Sequence, residues 1–499
     1  MLIKIKENEY WWGGIVNEGV NMPYGAEDTA VIDTADITKT ADQAAGIFLS
    51  SAGRYIWSSS PLKAIFWHGE IRVESDGEIH FGCGGKGLKG AYKKVCAEKM
   101  RFTKIPPEIY FGAPQYNTWI ELGYNQNQKS VLQYARAIKN NGLSAGIFMI
   151  DDTWQKGIGT WDFNKERFPE PKKMVDELHE MGFTVMLWLA PILRGSETEN
   201  YEQLKNLLLK DGTGNPALRW WWEGFDTVLD LSNPDAVSWF CERLEYLRSE
   251  YNIDGFKLDA GDLYFYSDDD DTEVRGYEMT KAFNKIGAGY PFNEFRAGYD
   301  CGGEPIVFRL QDKRHAWSGD GINCIIPNSL MQGMIGHIFH CPDMIGGGLL
   351  DDSFEKTFDP ELFIRWTEAS ALCPMMQFSL APWRVLSSEH FEIVKDMVRL
   401  HEKYAEYITA LAKEALNSGE PVMRHMAYEF PDEDFEKCSD QFMLGEKVLV
   451  APVLEKGVQK RCVRLPKGKW KYCGGTVYEG GKEVCVAAPL DVLPYFEKV

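Results

Sequence analysis

The chain has 499 residues, of which 44% are hydrophobic and 26% charged, as expected for a globular protein of two or three domains. Its formal net charge of −20 argues against a nucleic-acid-binding protein, because no basic face is available to neutralise phosphates. No apolar run approaches membrane-spanning length, and the first residues lack the apolar stretch of a signal peptide.

The cysteines indicate a reducing compartment. There are 11 of them, an odd number, scattered without a C-x-x-C pair. This pattern is typical of neither a disulfide framework nor a zinc ribbon. We therefore expect a reduced, cytoplasmic protein.

Both ends of the chain show the pattern of antiparallel sheet. In GRYIWSSSPLKAIFWHGEIRVESDGEIHFG (residues 53–82), apolar and polar residues alternate around a Glu-Ser-Asp-Gly turn. Residues 416–499 return to short strands and Gly-rich turns in EKVLVAPVLEKG, KRCVRLPKGKWKY and EVCVAAPLDVLPYF. The C-terminal pattern predicts a β-sandwich domain, and residues 1–105 predict a further β domain.

Between these ends, residues 106–415 alternate apolar strands with helices. Candidate strands are AGIFMIDDTW (145–154), TVMLWLAP (184–191), DGFKLDAGD (254–262), PIVFRLQD (305–312), HAWSGD (315–320), HCPDMIGG (340–347) and MMQFS (375–379). One helix is predicted from Pro171 to just before Gly182, and another with its cap near Asn233 and Pro234 in its first turn. This order predicts an α/β fold, a (β/α)₈ barrel. A doubly wound sheet is the rival, disfavoured because no Gly-rich nucleotide loop follows the first strand.

Charged residues stand where the predicted strands end, which is where a barrel places its chemistry. They are Asp151 and Asp152, Lys257 and Asp259, Arg309 and Asp312, Asp320, and Asp343. A single acidic strand end can be a helix N-cap, an interpretation that suits Asp262 best. Unpaired charges are costly to bury, so the convergence of several such ends on one mouth predicts an active site.

Lys257 and Asp259 lie two residues apart, so both side chains point to the same face of their strand, into the barrel. One interpretation is a structural ion pair. We favour the other, in which Asp259 is a nucleophile kept ionised by its cationic neighbour and Lys257 donates to substrate hydroxyls. A retaining glycosidase needs a second carboxyl as acid/base. Asp320 is the candidate, and Trp317 beside it is expected to help shield it from water.

Several stretches together resemble glycoside hydrolase family 31, a family of retaining α-glycosidases. They are DFNKERFPEPKKMVDELHEMGFTVMLWLAP, LDLSNPDA, EPVMRHMAYEFPDE and QFMLGEKVLVAPVLEKG, and the resemblance covers nearly the whole chain. It implies an N-terminal β-sandwich (1–105), a catalytic (β/α)₈ barrel (106–415) and a C-terminal β-sandwich (416–499). It also implies removal of terminal sugars, with no metal or organic cofactor.

The resemblance assigns roles by position. Asp259 in FKLDAGD falls on the nucleophile and Asp320 in WSGDGINC on the acid/base. Asp151 and Asp152 fall where the family grips sugar hydroxyls, and Arg309 lies in the stretch that supplies a substrate-binding arginine.

The remaining assignments are less direct. Trp188 and Trp119 fall near the floor and wall of the sugar pocket, with core packing as the alternative for both. Asp262 stands where the family has a glutamate and suits a supporting hydrogen bond. With these we place Lys257, Trp317 and Asp343 in the substrate site.

Two features suggest a metal, and we interpret both otherwise. His337 and His340 lack a suitably spaced third ligand, so packing is favoured. The SDDDD run at 267–271 lacks the spacing of a calcium loop and is predicted to be a solvated loop. We therefore expect no metal site.

Two departures from the α-glucosidases of the family bear on the sugar. FKLDAGD stands in place of Trp-x-Asp-Met-Asn-Glu, and QFSLAPW (377–383) replaces an Arg-Asn-His near the last strand. Lys-x-Asp occurs in family α-xylosidases and in the branch of the myogenesis-regulating glycosidase, an α-galactosidase. The stretch FRLQDKRHAWSGDGINCIIPNSLMQGMIGHIFHCPDMIGG most resembles that branch.

The resemblance therefore implies a retaining exo-α-galactosidase acting on a small oligosaccharide or α-glycoside. An α-xylosidase or α-glucosidase is the alternative within the family, and a non-catalytic sugar-binding protein is the alternative of another class. A metal-dependent barrel hydrolase is disfavoured because the sequence lacks a His-rich ligand set. We expect neither nucleic acid nor membrane as a partner, and a homo-oligomer stays open.

Overall fold

The computed structural model describes residues 1–196, 201–221, 224–266, 274–350 and 357–499. The acidic run predicted to be a solvated loop, 267–271, lies outside these described residues. Two hydrophobic cores organise the described chain. One fills the barrel and the space beneath its helices, and the other joins the N-terminal sheets to the C-terminal strands.

The N-terminal part is built from two sheets, which confirms the predicted β-sandwich. The first is antiparallel, in the order Leu2–Lys4, Glu70–Glu74, Lys63–Trp67, Ala30–Asp33. The second has the order Gly298–Tyr299, Gln43–Ser50, Arg54–Trp57, His80–Cys83, with Trp11–Ile15 also paired to Gln43–Ser50. Alternation decides the faces: in the strand Glu70–Glu74, Ile71 and Val73 are buried and Arg72 is exposed.

One strand of the second sheet comes from the barrel part of the chain. Gly298–Tyr299 pairs in parallel with Gln43–Ser50, so the N-terminal sheet continues directly into a barrel loop. A 3₁₀ helix, Val16–Asn21, and an α-helix, Gly87–Lys99, complete this part of the molecule.

The central sheet is a parallel barrel, as predicted. Its strands are Gln115–Asn117, Ile147–Ile150, Thr184–Leu189, Gly255–Leu258, Phe292–Phe295, Phe308–Arg309, His340–Cys341, Met344–Ile345 and Gln377–Phe378. The seventh barrel position is split: His340–Cys341 pairs with Phe308–Arg309, whereas Met344–Ile345 pairs with Gln377–Phe378. The break admits Asp343 into the barrel wall, fully buried.

Helices surround the barrel. The longer ones are Gln128–Asn140, Pro171–Glu180, Pro234–Tyr251, Gly276–Ala288, Ile322–Met334, Pro360–Ala371 and Ser388–Ser418. The shorter ones are Ile109–Gly112, Trp119–Leu122, Tyr201–Leu204, Pro382–Val385 and Met426–Glu429, with 3₁₀ turns at Gly123–Asn125, Lys205–Leu207 and Leu263–Phe265. The predicted cap at Asn233 is confirmed, because its side chain accepts the backbone N–H of Asp235 at 2.9 Å.

A small antiparallel sheet is inserted after the third barrel strand. Its order is Ile192–Leu193, Gly224–Val228, Leu218–Trp221. Arg194 and Asp226 join its two sides through an ion pair with an N–O distance of 2.8 Å. The sheet thereby extends one side of the barrel mouth.

The C-terminal part confirms the second predicted β-sandwich. Its larger sheet has the order Met423–Arg424, Phe442–Leu444, Val448–Val450, Tyr495–Lys498, Lys469–Tyr472, Val477–Glu479, and a second sheet pairs Lys460–Leu465 with Lys482–Ala487. Register places Cys462 opposite Cys485, and the two form a disulfide. The expectation that every cysteine is reduced is therefore wrong for this pair.

The structure also corrects one strand prediction and adds two strands that were not predicted. HAWSGD (315–320) is a loop, because His315 bonds to the carbonyl of Gly346 and the Trp317 indole to Asp359 instead of joining a ladder. Gln115–Asn117 and Phe292–Phe295 are barrel strands that the sequence did not reveal. No helix of the described chain combines the length and apolar character needed to cross a membrane.

Candidate active site

Asp259 stands at the carboxyl end of the fourth barrel strand. Its backbone N–H donates to the carbonyl of Leu189 at 2.8 Å, which continues the ladder with the third strand. One carboxylate oxygen accepts the Trp188 indole N–H at 3.1 Å, and the other accepts Arg296 Nε at 2.8 Å. The side chain is 18% exposed, so it is largely shielded and still open to the barrel mouth.

Arg296 keeps Asp259 charged. Burial raises the pKa of Asp259, but Arg296 and then Lys257 oppose it, so the pKa lies well below the ordinary value. Arg296 also donates to Asp262 at 2.8 Å. Asp262 accepts the backbone N–H of Tyr264 at 3.2 Å as well, so it both caps a 3₁₀ turn and supports Arg296. An ionised carboxylate is the form that a nucleophile requires.

The chain turns sharply after Asp259. Ala260 has a φ of 55° and Gly261 a φ of 68°, both in the left-handed region that costs non-glycine residues free energy. A Cβ on Gly261 would lie 2.5 Å from the Phe283 ring. This turn allows Asp259 and Asp262 to share one arginine.

Lys257 pairs with Asp151 and not with Asp259. Lys257 Nζ donates to Asp151 Oδ2, which also accepts the Asn117 amide at 2.6 Å. Lys257 lies beside Trp188 and Glu294 in the ladder, two residues before Asp259 and deeper in the barrel. The alternative interpretation, a structural ion pair between Lys257 and Asp259, is therefore wrong. As in the favoured interpretation, the charge of Lys257 lowers the pKa of Asp259, and it acts at longer range.

The Lys257–Asp151 pair is buried, with side chains 5% and 4% exposed. Burial lowers the pKa of Lys257, but Asp151, with Glu294 and Asp312, outweighs it, so the pKa lies above the ordinary value. The neighbouring Asp152 differs, because burial raises its pKa to about 7, with Asp151 and Asp259 adding to the effect. A carboxyl with that pKa can donate or accept a hydrogen bond near neutral pH.

Arg309 and Asp343 are brought together as a buried pair. Arg309 lies 2.7 Å from Asp343, 2.8 Å from Asp312 and 3.4 Å from Glu294, and its side chain is 1% exposed. Asp343 also accepts the backbone N–H of Lys313 at 2.8 Å. In this structure both side chains are buried and hold the loop that carries Asp320.

Asp320 lies on that loop and forms an ion pair with Lys313, with an N–O distance of 2.9 Å. Its side chain is 43% exposed. Trp317, expected to shield it, instead donates its indole N–H to Asp359 at 3.0 Å. Asp320 is therefore open to solvent, which differs from the sequence-based expectation.

Two of the predicted tryptophans occupy different surroundings. The Trp188 ring lies beside the nucleophile, because its indole N–H donates to Asp259. It also stacks on Trp221 of the inserted sheet, with centroids 5.9 Å apart and planes 1° apart. Trp119 is buried and donates its indole N–H to the carbonyl of Gly348 at 3.1 Å.

The two histidines considered as metal ligands are buried and neutral. Burial lowers the pKa of His337 to about 3 and that of His340 to about 4, and His337 packs against Phe308 with centroids 4.3 Å apart. In the part of the chain that the structure describes, one group of ligand side chains is close enough to hold a metal: Cys462, Glu483 and Cys485. It is exposed, lies in the C-terminal part, and two of its members form the disulfide.

The sequence did not identify four residues that support the candidate site. Arg296 bonds Asp259 and Lys313 pairs with Asp320, whereas Asn117 bonds Asp151 and Trp221 stacks on Trp188. Arg296 directly follows the strand FNEF, and a charged residue at a strand end is the pattern that indicated the other site residues. The strand was not recognised because Asn293 and Glu294 within it are polar.

Two family models match the chain. "Glycosyl hydrolases family 31 TIM-barrel domain" matches residues 103–411, and "Glycosyl hydrolase family 31 C-terminal domain" matches residues 419–499. The chain belongs to glycoside hydrolase family 31. The predicted domain boundaries at 105 and 415 stay predictions.

Relatives in the family carry different names. The myogenesis-regulating glycosidase of Mus musculus is 32% identical over 410 residues, 78% of this chain and 56% of that protein. The α-xylosidase XylQ of Lactiplantibacillus pentosus is 26% identical over 474 residues, 87% of this chain and 59% of that protein. The chain thus spans little more than half the length of these relatives.

Solved structures share the fold. A Flavobacterium johnsoniae dextranase of the family superimposes with a TM-score of 0.88 at 21% identity, over 100% of this chain and 66% of that one. A sulfoquinovosidase from E. rectale gives a TM-score of 0.84 at 20% identity, over 100% and 82%. At these identities the likeness supports the architecture alone.

Proposed function

We propose that the chain is a retaining exo-α-glycosidase that removes terminal α-galactosyl residues. The observation that carries the proposal is the state of Asp259, ionised and held between Trp188 and Arg296 at a barrel strand end. A carboxylate fixed in this way, with one side open to the mouth, has the charge and access of a nucleophile.

In the proposed reaction, Asp259 attacks the anomeric carbon while Asp320 donates a proton to the leaving oxygen. Asp320 then takes a proton from water, which hydrolyses the glycosyl-enzyme. The first step requires Asp320 to be protonated and therefore to release its ion pair with Lys313. No metal or organic cofactor has a role in this scheme.

The choice of galactose rests on the floor of the site. Lys257 on the fourth barrel strand and Asp151 and Asp152 at the end of the second form a polar group across the third strand, suited to holding an axial hydroxyl at C4. The relatives' names include glucosidase and xylosidase, so they support an α-glycosidase more broadly than a particular sugar.

Initial rates on matched aryl α-galactoside, α-xyloside and α-glucoside test the proposal, with Asp259→Asn as the blank. We expect turnover mainly on the galactoside, at least 10³-fold above the blank, and a first product of retained anomeric configuration by NMR. Turnover mainly on another sugar contradicts the galactose assignment and preserves the class. Sugar binding without any turnover favours a non-catalytic sugar-binding protein.

Two further properties stay proposals. We propose a cytoplasmic location, checked by fractionation of the source cells with a cytoplasmic marker enzyme as reference. Chelator is expected to leave the rates unchanged, and a loss restored by added metal contradicts the scheme without metal.

A further inference from the structure

A short segment of the N-terminal part, residues 41–43, reaches both halves of the candidate active site. The carbonyl of Ala41 accepts an N–H of Arg296, the partner of Asp259. The Gln43 amide donates to the carbonyl of Arg309 at 3.1 Å and also to that of Arg296. This contact continues the parallel pairing of Gln43–Ser50 with Gly298–Tyr299.

Asp42, in the middle of this segment, faces the other half. One carboxylate oxygen accepts the backbone N–H of Gln311. The other lies 4.0 Å from Lys313 Nζ, and both side chains are fully buried. Lys313 Nζ lies 2.9 Å from Asp320, so the ammonium group stands between a buried carboxylate and the candidate acid/base.

We propose that Asp42 is a positioning residue for proton donation: its carboxylate shares the charge of Lys313 and so allows Asp320 to take up and release a proton. The proposal rests on the proposed function, in which Asp320 is the acid/base.

The physical argument concerns where the charge of Lys313 is balanced. A buried ammonium group needs a counter-charge. If Asp320 supplied all of it, Asp320 would be held ionised and the leaving oxygen would receive its proton slowly. Burial lowers the pKa of Lys313, yet the pKa lies above the ordinary value because of Asp42 first and Asp320 second. Asp42 and Asp320 thus share the counter-charge of Lys313, and Asp320 is the nearer of the two.

Asp42 has charged neighbours besides Lys313, and an effect of Asp42 transmitted through them would act on a different step of the reaction. Burial raises the pKa of Asp42 above its ordinary value, and Lys313, the Gln311 N–H, Arg296 and Arg309 oppose burial by stabilising the carboxylate. Through Arg296, a change at Asp42 reaches the nucleophile, whose attack is required for every substrate. An effect through Lys313 is instead selective, because a good leaving group departs without a proton.

The test compares kcat/KM of Asp42→Asn on 2,4-dinitrophenyl α-galactoside, which needs no protonation, and on methyl α-galactoside, which does. Asparagine keeps the size of the side chain and an acceptor for the Gln311 N–H. We expect a fall of about 30-fold or more on the methyl glycoside and less than about 3-fold on the activated one, within the 10²–10⁴-fold that general acid catalysis supplies. Asp28→Asn is the matched control, since exposed Asp28 also accepts one backbone N–H, that of Gly25, at 2.7 Å.

A second variant separates this effect from damage to the fold. In Asp42→Asn/Lys313→Met both charges are gone, so we expect the ratio of the two rates to return to within about 3-fold of the wild-type ratio. An equal fall on both substrates, or a double variant as selective as Asp42→Asn, overturns the inference. If wild-type protein hydrolyses neither galactoside, nor the matching xylosides and glucosides, the proposed function fails and the inference falls with it.

Discussion

Replacing Arg296 with methionine removes a side chain that bonds both Asp259 and Asp262. The two hydrogen bonds measure 2.8 Å each, and the carboxylates are 18% and 5% exposed. Charge-assisted bonds of this kind contribute about 1.5–3 kcal/mol each, and breaking a buried ion pair costs about 3–5 kcal/mol. We expect Arg296→Met to lower the free energy of unfolding by about 3–5 kcal/mol at pH 7.

The destabilisation by Arg296→Met is expected to depend on pH through the ionisation of Asp259. The pKa of Asp259 is lowered in the folded protein, so its ionisation stabilises the fold above the unfolded-state pKa and this contribution is lost as the pH falls. Without Arg296, burial is expected to raise the pKa of Asp259 in the folded variant above the unfolded-state value. The variant is then destabilised most at pH 7–8, where the buried Asp259 is ionised with less compensation, and less towards pH 4, where it can be protonated.

Urea unfolding at pH 4, 5.5 and 7.5 measures the destabilisation, and the acid limb of kcat/KM reports the ionisation of Asp259. We expect that limb to move to higher pH in Arg296→Met. Arg136→Met removes a half-exposed arginine paired with Glu177 and is expected to cost less than about 1 kcal/mol. A destabilisation independent of pH, with an unmoved acid limb, would refute the reasoning.

Two further substitutions test the floor of the site. Lys257→Met leaves Asp151 buried without its cation and is expected to lower the free energy of unfolding, measured in urea, by about 3–5 kcal/mol. The double variant Lys257→Met/Asp151→Asn is expected to restore most of this loss. A double variant as unstable as the single one contradicts the pairing. Burial raises the pKa of Asp152 from 3.8 to about 7, so its protonated form stabilises the fold below pH 4 and this contribution is lost as the pH rises through 7. Asp152→Asn is therefore expected to stabilise the protein at pH 8.5, by at most about 4 kcal/mol, and to match the wild type at pH 4; equal thermal melting curves at pH 8.5 contradict this.

Local spacing explains what could be predicted from the sequence. The i, i+2 relation of Lys257 and Asp259 correctly placed both at the carboxyl end of a buried strand. Asn233 and Pro234 located a helix start, because a capping side chain and a proline each fix the first turn of a helix locally. The barrel followed from long apolar runs, which report burial on both faces of a parallel sheet.

The partners of the charged groups could not be predicted, because they are set by register and not by spacing. Lys257 faces Asp151, which is 106 residues away along the chain, and Arg296 reaches Asp259 across 37 residues. Gln115–Asn117 escaped notice because a three-residue strand with polar side chains inside the barrel has no apolar run. Asp42 lies in the N-terminal part of the chain, where no sequence pattern indicated chemistry.

The parallel pairing of Gly298–Tyr299 with Gln43–Ser50 has a consequence for how such enzymes recombine. A barrel transplanted between homologues without its own first hundred residues would leave Gly298–Tyr299 without its hydrogen-bonded neighbour and Arg296 without the carbonyl that orients it. The N-terminal sheet and the barrel are therefore expected to be exchanged together, and a chimera joined near residue 105 is expected to fail.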